Sequence, residues 1–388
     1  MIGHIKWLSG LVLVVFFLCN TVHSADELPI LIGATTSLEG KYVEPSMMGQ
    51  EAFKLWAKEI NKKGGLLGRQ VHLVLYNDKS DIGLTRQLYT RLIEEDKVDL
   101  VLSPYSTPLT LAASEISERH SKLMLAIAAA AEKPWQGDAR YLFQVYAPAK
   151  RQFVGLLDIM AKKGCRTVSV IYDDNSVFNL DIVRGVEEWA KAFKIEIALE
   201  KSYHDGKKEL PALLAEVKAV NSCGLINSSY PPDSYELLRL LDEMNYRPDV
   251  LAMPIVPVHP DFQQKVGSIA NLIFGPSQWE PDERIPFPGT KQFIVDFQEF
   301  TGHMPSFHAA SAYAACQLYE QAIKRTQTLD NDILRDYIAA LDTVTVLGRF
   351  KVDPSGLQVG HNSIIIQWQN GKKEIVWPQK MQTAKPIF

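Results

Sequence analysis

Short apolar runs alternate along the first part of the chain with segments whose apolar residues recur at helical spacing. Strands are predicted for residues 29–34, 71–76, 98–102 and 123–127. Helices are predicted for residues 45–61, 84–96 and 108–120. This order is typical of parallel strands connected by right-handed crossovers, and it predicts a doubly wound α/β lobe.

The same pattern restarts after residue 150. Further strands are predicted for residues 167–172, 195–199, 224–228, 250–253 and 271–275. Further helices are predicted for residues 151–163, 180–193, 209–220 and 234–244. We therefore expect a second α/β lobe of similar size, beginning near Ala147.

The remainder of the chain has a different order of elements. After a proline-rich segment, helices are predicted for residues 290–301, 306–326 and 331–341. Strands are then predicted for residues 348–352, 363–369 and 373–377. The turn sequences Asp353-Pro354-Ser355-Gly356 and Asn370-Gly371 separate these strands, which indicates antiparallel pairing.

The amino-terminal residues form a separate segment. A basic residue precedes the apolar run Leu11–Leu18, and Val22 and Ser24 occupy the −3 and −1 positions of a cleavage site. This arrangement predicts a secretory signal peptide over residues 1–24. An uncleaved anchor is the alternative, although the run is shorter than the roughly 20 apolar residues that span a membrane.

Composition restricts the class of protein further. The 388 residues are 46% hydrophobic and 22% charged, with 41 Lys and Arg against 45 Asp and Glu. These values indicate a soluble globular protein and exclude a disordered, collagen-like or disulfide-scaffold chain. A net charge of −4 argues against a nucleic-acid partner, because phosphate binding needs clustered basic residues.

The chain carries none of the common catalytic motifs, such as a nucleophile elbow, a P-loop or a zinc-protease helix. Asp173 and Asp174 follow a predicted strand and are interpreted as turn and helix-start residues, with a metal or acid/base pair as the alternative. The spacing of His303 and His308 does not place them on one helical face, so we expect solvated or capping roles. The sequence therefore favours a binding protein without catalytic residues, metal or cofactor.

Three cysteines follow the predicted cleavage site, and none has the C-x-x-C spacing of zinc or thioredoxin sites. Cys165 and Cys223 each precede a predicted strand. If these strands are parallel neighbours, the two thiols lie at the same end and could form a disulfide in an oxidising compartment. Two free buried thiols are the slightly preferred alternative. Cys316 is expected in the core.

Four stretches of this chain carry a resemblance to a known family. They are IGATTSLEG with EINKKGGLLGR and VHLVLYNDKSD (residues 32–81), VDLVLSPYSTPLTLAA (98–113), VSVIYDDNSVF (168–178), and GRFKVDPSGLQVG with IIIQWQNGKKEIVWP (348–378). Over nearly all of its length after the signal peptide, the chain resembles the leucine/isoleucine/valine-binding type of periplasmic solute-binding protein. Such proteins are the receptors of ABC importers for amino acids and amides.

The resemblance implies a type I periplasmic binding protein fold, in which two α/β lobes are joined by three crossovers. The first lobe would comprise residues 26–146 and 278–347, and the second residues 147–277 and 348–388. A small-molecule ligand would bind between the lobes, at the carboxyl ends of the strands, and hinge closure would bury it. The resemblance also implies a monomer in the periplasm that delivers its ligand to an ABC permease.

Local physics independently supports one part of the predicted site. Thr107 and Pro108 form an N-cap and N1 pair at the start of a helix that follows a strand. The free amides and dipole of that helix start would favour an anion, with Ser106 and Thr107 adding hydroxyl donors. In the family the same loop, which includes Tyr105, holds a ligand carboxylate. A plain structural cap is the alternative.

The other predicted site residues come from the resemblance. Ala128 and Ala130 lie in a loop of small residues that would let backbone groups approach a ligand, although the family commonly has Thr near Ala130. Phe178 and Tyr230 take positions where family members close aromatic rings over the ligand. Ordinary packing is the alternative for both rings.

Ile255 lies where amino-acid binders place an acidic residue against the ligand ammonium. An aliphatic side chain cannot compensate a buried cation. Either another acid such as Glu39 or Asp174 reaches the ligand, or the ligand has no ammonium group, which we prefer. An organic acid, aromatic carboxylate, amide or apolar molecule would then fit, and Trp279 is a candidate to line its pocket.

Three functions are therefore weighed from the sequence. The leading hypothesis is an exported receptor that feeds an ABC importer. The second is a periplasmic sensory subunit that presents its ligand to a receptor kinase or chemoreceptor. A two-domain α/β enzyme, such as a glycosyltransferase, is less favoured because no nucleotide or acid/base site is found.

Overall fold

The structure, a computed structural model, describes residues 28–137, 139–259, 261–282 and 284–388. The predicted signal peptide, residues 1–24, lies outside the described residues. Within the described ranges, no helix combines the length and the apolar character that crossing a membrane requires.

The first lobe is built around a five-stranded parallel sheet. Its strands are β1 Ile30–Thr36, β2 Val71–Asn77, β3 Leu100–Leu102, β4 Met124–Ala126 and β5 Leu142–Gln144, in the order β2-β1-β3-β4-β5. The connecting helices are α1 Val43–Lys62, α2 Ile82–Glu94 and α3 Thr107–Arg119. Every residue of β3 and β4 is buried, because helices cover both faces of a parallel sheet.

The second lobe is built around a larger, mixed sheet. Its parallel strands are β6 Thr167–Asp173, β7 Glu196–Tyr203, β8 Gly224–Ser228, β9 Val250–Ala252 and β10 Ile273–Ser277. The accompanying helices are α4 Val154–Lys163, α5 Val177–Phe193, α6 Gly206–Val220, α7 Asp233–Glu243 and α8 Phe262–Val266.

The last part of the chain contributes to both lobes. Helices α9 Thr290–Thr301, α10 Phe307–Thr326 and α11 Asn331–Ala339 are followed by strands β11 Asp342–Val344, β12 Arg349–Lys351, β13 Ile364–Gln369 and β14 Lys372–Trp377. The hydroxyl of Tyr319 in α10 donates to the carbonyl oxygens of Val101 and Leu123, at 2.7 Å each, which fixes α10 to the first lobe. Strands β13 and β14 extend the second sheet antiparallel, giving the order β14-β13-β10-β9-β8-β6-β7. The chain therefore crosses between the lobes three times.

Three segments of the chain, near Ala147, Gln278 and Gln358, cross between the lobes. Buried glutamines connect these three crossovers by hydrogen bonds. The amide of Gln278 accepts from the backbone N–H of Ala147 (2.9 Å) and donates to its carbonyl oxygen (3.3 Å). The backbone N–H of Gln358 donates to the side-chain oxygen of Gln144 (3.2 Å). His361 donates from Nε2 to the carbonyl oxygen of Gln278 (2.9 Å). The crossovers thus form one hydrogen-bonded unit.

Cys165 and Cys223 form a disulfide, with their Cα atoms 5.6 Å apart. Cys165 lies shortly before strand β6, and Cys223 lies directly before strand β8. Because β6 and β8 are parallel neighbours, the two cysteines meet at the same end of the sheet. The preferred alternative of two free thiols is therefore wrong. Cys316 is a buried free thiol, as expected.

Three short elements were not predicted from the sequence. Strands β5 and β11 have three residues each and helix α8 has five. Strand β5 depends on distant partners: it pairs with β4, and the N–H of Gln144 donates to the carbonyl oxygen of Gly356 (2.9 Å). Such pairing is not visible in local sequence.

Candidate functional site

A cavity of about 680 Å³ lies between the two lobes at the carboxyl ends of their strands. Both lobes contribute to its wall. Eight of the nine residues predicted to face a ligand line it: Tyr105, Ser106, Thr107, Ala128, Ala130, Phe178, Tyr230 and Ile255. These eight residues therefore share one cavity, and their contact with a ligand stays a prediction.

Trp279 is the exception. Its side chain is 1% exposed and packs against the ring of Phe293, with centroids 6.0 Å apart, inside the hydrophobic core. The preceding residue, Gln278, lines the cavity instead. Successive residues of an extended chain point in opposite directions, so an error of one position in the alignment exchanges a core residue for a cavity residue.

The start of α3 differs in detail from the prediction. Ser106, not Thr107, is the N-cap residue, with φ +82°, and Thr107 and Pro108 occupy the first helical turn. The hydroxyl of Thr107 accepts a hydrogen bond from the N–H of Ala131 (3.3 Å), which ties the helix start to the loop after β4. Ser106 is 4% exposed, and its hydroxyl has no partner among the described residues.

This arrangement creates an electropositive position without a basic side chain. The amides of the first turn of a 13-residue helix have no partners within that helix, and the helix dipole concentrates positive potential there. The unpartnered Ser106 hydroxyl adds a donor that is already desolvated. The helix start is therefore suited to bind a carboxylate or another small anion.

The loop after β4 consists of small buried residues, including Ala128 and Ala130. The carbonyl oxygen of Ala130 accepts from the N–H of Ala149 (2.8 Å), so this backbone group already serves the first crossover. Neither alanine offers a side-chain donor to a ligand. The hydroxyl that the family commonly carries near this position is missing from the wall.

Aromatic rings cover much of the cavity from both sides. From the second lobe, Phe178 and Tyr230 pack together with ring centroids 5.7 Å apart. From the first lobe, Tyr105 makes edge contacts with Tyr42 (5.4 Å) and with His308 (5.1 Å). A ligand in this cavity would therefore contact ring faces and edges on both sides.

His308 lies on the cavity wall, which its sequence context did not indicate. It was expected to be solvated or capping, but it lies on α10 against Tyr105, Tyr146 and Phe307 and lines the cavity. Desolvation lowers the pKa of His308 to about 3, so its ring is neutral at physiological pH. The signal that could have revealed it was its place in the first turn of a long, alanine-rich buried helix.

Ile255 is half-buried on the cavity wall, immediately before the turn Val256–Val258. The two acids considered as substitutes for the missing carboxylate do not line the cavity. Glu39 forms an ion pair with Lys79 (3.5 Å), and Asp174 pairs with His204 (3.1 Å). The position thus brings no negative charge to the ligand.

Two other acidic residues line the cavity, and both already have partners. Asp173 accepts hydrogen bonds from Asn175 Nδ2 (2.7 Å) and Asn179 Nδ2 (3.3 Å) at the end of β6. Glu44, an exposed residue in the first turn of α1, contacts the ring of His259 in the opposite lobe. Among the described lining residues, no fully buried one carries a charge.

Metal binding finds no support in the described part of the chain, where no group of three or more His, Cys, Asp and Glu side chains could hold an ion. The sequence-based interpretation of Asp173 as a turn residue agrees with its hydrogen bonds to Asn175.

Two interleaved α/β lobes, three crossovers and a cavity at the strand ends define the class of protein as a type I periplasmic binding protein fold. Solved structures confirm this fold class. The branched-chain amino acid transporter substrate-binding protein LivJ from Streptococcus pneumoniae, in complex with isoleucine, aligns with a TM-score of 0.78. That alignment covers 89% of this chain and 98% of LivJ at 21% identity.

The family follows from the sequence match. The profile described as periplasmic binding protein matches residues 29–373, and the chain belongs to this family. The Leu/Ile/Val-binding protein homolog 7 of Brucella suis biovar 1 (strain 1330) is 23% identical over 359 residues, covering 86% of this chain and 88% of the relative. The resemblance found in the sequence is thereby confirmed.

A second structural neighbour differs in its ligand. The solute-binding protein of an ABC transporter from Rhodopseudomonas palustris BisB5, in complex with 3,4-dihydroxybenzoic acid, aligns with a TM-score of 0.73. The alignment covers 89% of this chain and 95% of the neighbour at 20% identity.

Proposed function

We propose that this protein is the substrate-binding protein of an ABC importer and that it captures a small acid or amide that carries no ammonium group. The observation that carries the proposal is Ile255 in a cavity whose fully buried described lining residues are uncharged. An α-ammonium group held against Ile255 would lose its hydration without gaining a counter-charge from that side chain, which costs several kcal/mol.

The start of α3 supports the acid part of the proposal. Ser106 offers a buried hydroxyl without a partner, and the start of α3 lines the cavity, where its free N–H groups and dipole favour an anion. A site of this kind can bind a carboxylate through neutral hydrogen-bond donors and the helix dipole, without an arginine side chain. The aromatic rings of Phe178 and Tyr230 would then cover the apolar body of the ligand.

The remaining parts of the proposal follow from the family. The chain would be exported through a cleaved signal peptide over residues 1–24 and act as a monomer in the periplasm. Its lobes would comprise residues 26–146 with 278–347 and residues 147–277 with 348–388. Closure of the lobes on the ligand would present a surface to the permease, and no catalytic step is required.

A ligand screen tests the proposal. The protein, purified from cells that express the full chain, is heated with leucine, valine, acetamide, benzoate or hexanoate, and hits are measured by calorimetry. A ligand that binds only the folded state raises the free energy of unfolding of the protein by about 2.7 kcal/mol when the free ligand concentration is 100 times the Kd. We expect saturable stabilisation by carboxylates or amides.

Two results would contradict the proposal. Strong, saturable stabilisation by leucine or valine would show that the cavity accepts an α-ammonium group despite Ile255. Turnover of any ligand, detected as product by mass spectrometry, would overturn the non-enzymatic function. A Ser106→Ala variant serves as the control for cavity binding, since a ligand bound elsewhere would be unaffected.

A further inference from the structure

Two buried polar side chains on the wall nearest the first crossover have no hydrogen-bond partners. Tyr146 is 5% exposed and lines the cavity, and its hydroxyl has no partner among the described residues. Gln152, 7% exposed, also lines the cavity, and no other described residue bonds to its side-chain amide. For Tyr146, whose hydroxyl is buried, the missing bond costs free energy unless a ligand supplies it.

The neighbouring Gln278 provides the contrast. It lines the same wall, but both ends of its amide are bonded to the backbone of Ala147. The Gln278 amide therefore has hydrogen-bond partners without a ligand. Tyr146 and Gln152 make no such contact, and we refer to these two residues as the inner polar pair.

The inner polar pair is separated from the start of α3 by a row of rings. Tyr105, directly before Ser106, contacts His308 with ring centroids 5.1 Å apart, and His308 contacts Tyr146 with centroids 6.4 Å apart. The cavity therefore has an anion-binding end at Ser106, an aromatic side and a second polar end.

The second polar end is uncharged. Tyr146 remains protonated because desolvation raises its pKa well above the ordinary value, and the adjacent His308 is neutral. A hydroxyl and a carboxamide can each donate and accept a hydrogen bond, whereas neither compensates a full charge. The matching ligand group is therefore a neutral donor and acceptor.

We propose that the inner polar pair recognises an uncharged hydroxyl or amide group at the far end of the ligand from its carboxylate. The ligand class is thereby narrowed to acids that carry a second, neutral hydrogen-bonding group across a flat or apolar body. This inference rests on the proposed function, because it assumes that the start of α3 holds the acid.

Matched pairs of probes test the inference by calorimetry: benzoate against 3-hydroxybenzoate and 4-hydroxybenzoate, and hexanoate against 6-hydroxyhexanoate. At least one hydroxylated probe should bind about twofold to tenfold more tightly than its parent acid, as one added hydrogen bond would give. Tyr146→Phe should remove that gain while changing the affinity of the parent acid by less than twofold.

Two further variants separate recognition from packing. Gln152→Met keeps the length of the side chain and should also reduce the gain from the hydroxyl. Tyr246→Phe is the matched control and should leave the gain unchanged, because the Tyr246 hydroxyl also has no partner among the described residues but does not line the cavity. Because each comparison is between two ligands on one protein, a general loss of stability would not produce the expected pattern.

The outcomes also distinguish this inference from the proposed function. If parent and hydroxylated acids bind equally, or Tyr146→Phe weakens both equally, the inference is wrong and the proposed acid ligand stands. If no carboxylate in the panel binds, the anion-binding end is refuted and the inference falls with it.

Discussion

Ile255 and Ser106 bring opposite properties to the cavity wall. Ile255 withholds the negative charge that an ammonium group would need, and Ser106 presents a buried hydroxyl beside the start of α3. If a ligand binds there, each side chain should influence which sign of charge the site tolerates, because charges interact strongly where water is excluded. Two residue-scale predictions follow from this difference.

Introducing a carboxylate at the wall should repel an acidic ligand. Ile255→Asp is expected to lower the affinity for the carboxylate that the ligand screen identifies by about tenfold or more, or about 1.4 kcal/mol. Calorimetry at neutral pH measures the change. The control is Ile255→Asn, because asparagine has nearly the same shape as aspartate but no charge. An equal loss of affinity in the two variants would show that shape, not charge, causes the effect.

Removing the cap hydroxyl should weaken the same ligand. Ser106→Ala deletes a donor to an anion, and a hydrogen bond to a charged group contributes about 1.5–3 kcal/mol, so a loss of roughly tenfold or more in affinity is expected. Because this hydroxyl makes no bond in the described structure, thermal stability without ligand should not fall. Unchanged affinity would show that the ligand does not reach Ser106.

Among the secondary-structure elements, the strands β6 and β8 carry both the disulfide and cavity loops, at opposite ends. Cys165 and Cys223 precede the two strands, whereas Asp173 and Tyr230 lie at or beyond their carboxyl ends. The sheet between them separates the stabilising bond from the ligand site. Stability and affinity should therefore respond independently to reduction.

Reduction of the disulfide should destabilise the fold by about 4 kcal/mol, the loop-entropy value for 58 residues. Urea unfolding with and without reductant measures the loss. Ligand affinity under reducing conditions should stay within twofold as long as the protein is folded. The double variant Cys165→Ser/Cys223→Ser is the control, since reductant should leave its stability unchanged.

Element by element, the sequence was most informative where periodicity is strong. Helix α9 matches the predicted range of Thr290–Thr301, and α10 differs from its prediction by one residue. Strand β5 was missed because its pairing with β4 and its hydrogen bond to Gly356 are not visible in local sequence. The positions of the cavity residues came from the family resemblance, and Trp279 shows its limit, since the neighbouring Gln278 faces the cavity. His308 was missed because its burial depends on rings that are distant in sequence.

At the scale of the whole molecule, a contact between a carboxylate and an imidazole joins the two lobes beside the cavity that both residues line. Glu44 of α1 contacts His259, which follows β9, and His259 also contacts Asp261. The contact couples the relative position of the lobes to a hydrogen bond that is partly exposed to solvent. It should therefore stabilise the arrangement in which the lobes lie close together.

Glu44→Gln should weaken this cross-lobe contact and favour separated lobes. We expect a twofold to fivefold loss of ligand affinity, consistent with the fraction of a kcal/mol to 1 kcal/mol typical of exposed ion pairs. Small-angle scattering should show a larger radius of gyration for the ligand-free variant. Glu39→Gln, whose ion pair with Lys79 lies within one lobe, is the control and should change neither quantity.

His361, which is hydrogen-bonded to the crossover residue Gln278, should make the stability of the fold sensitive to acid. Burial lowers the pKa of His361 to about 4, whereas in the unfolded chain it is about 6.5. The unfolded state therefore binds the proton first, and stability falls as the pH drops from about 6.5 to about 4, by about 3 kcal/mol for this group.

Urea unfolding at pH 7 and pH 4 tests this dependence. His361→Gln keeps a donor for the carbonyl oxygen of Gln278 but does not titrate, so it should lose less stability between the two pH values than the native protein. An identical loss in both proteins would show that other groups cause the acid sensitivity.

The three crossings of the chain also determine how the molecule responds to a protease. One cut in any crossover leaves two covalent connections between the lobes, and the hydrogen bonds of Gln278 and Gln358 continue to hold the cut ends beside intact chain. A nicked molecule would migrate as a single species on a native gel and separate into two fragments in denaturant, without reductant, because Cys165 and Cys223 remain on the same fragment. A single cleavage at a crossover therefore does not release an isolated lobe.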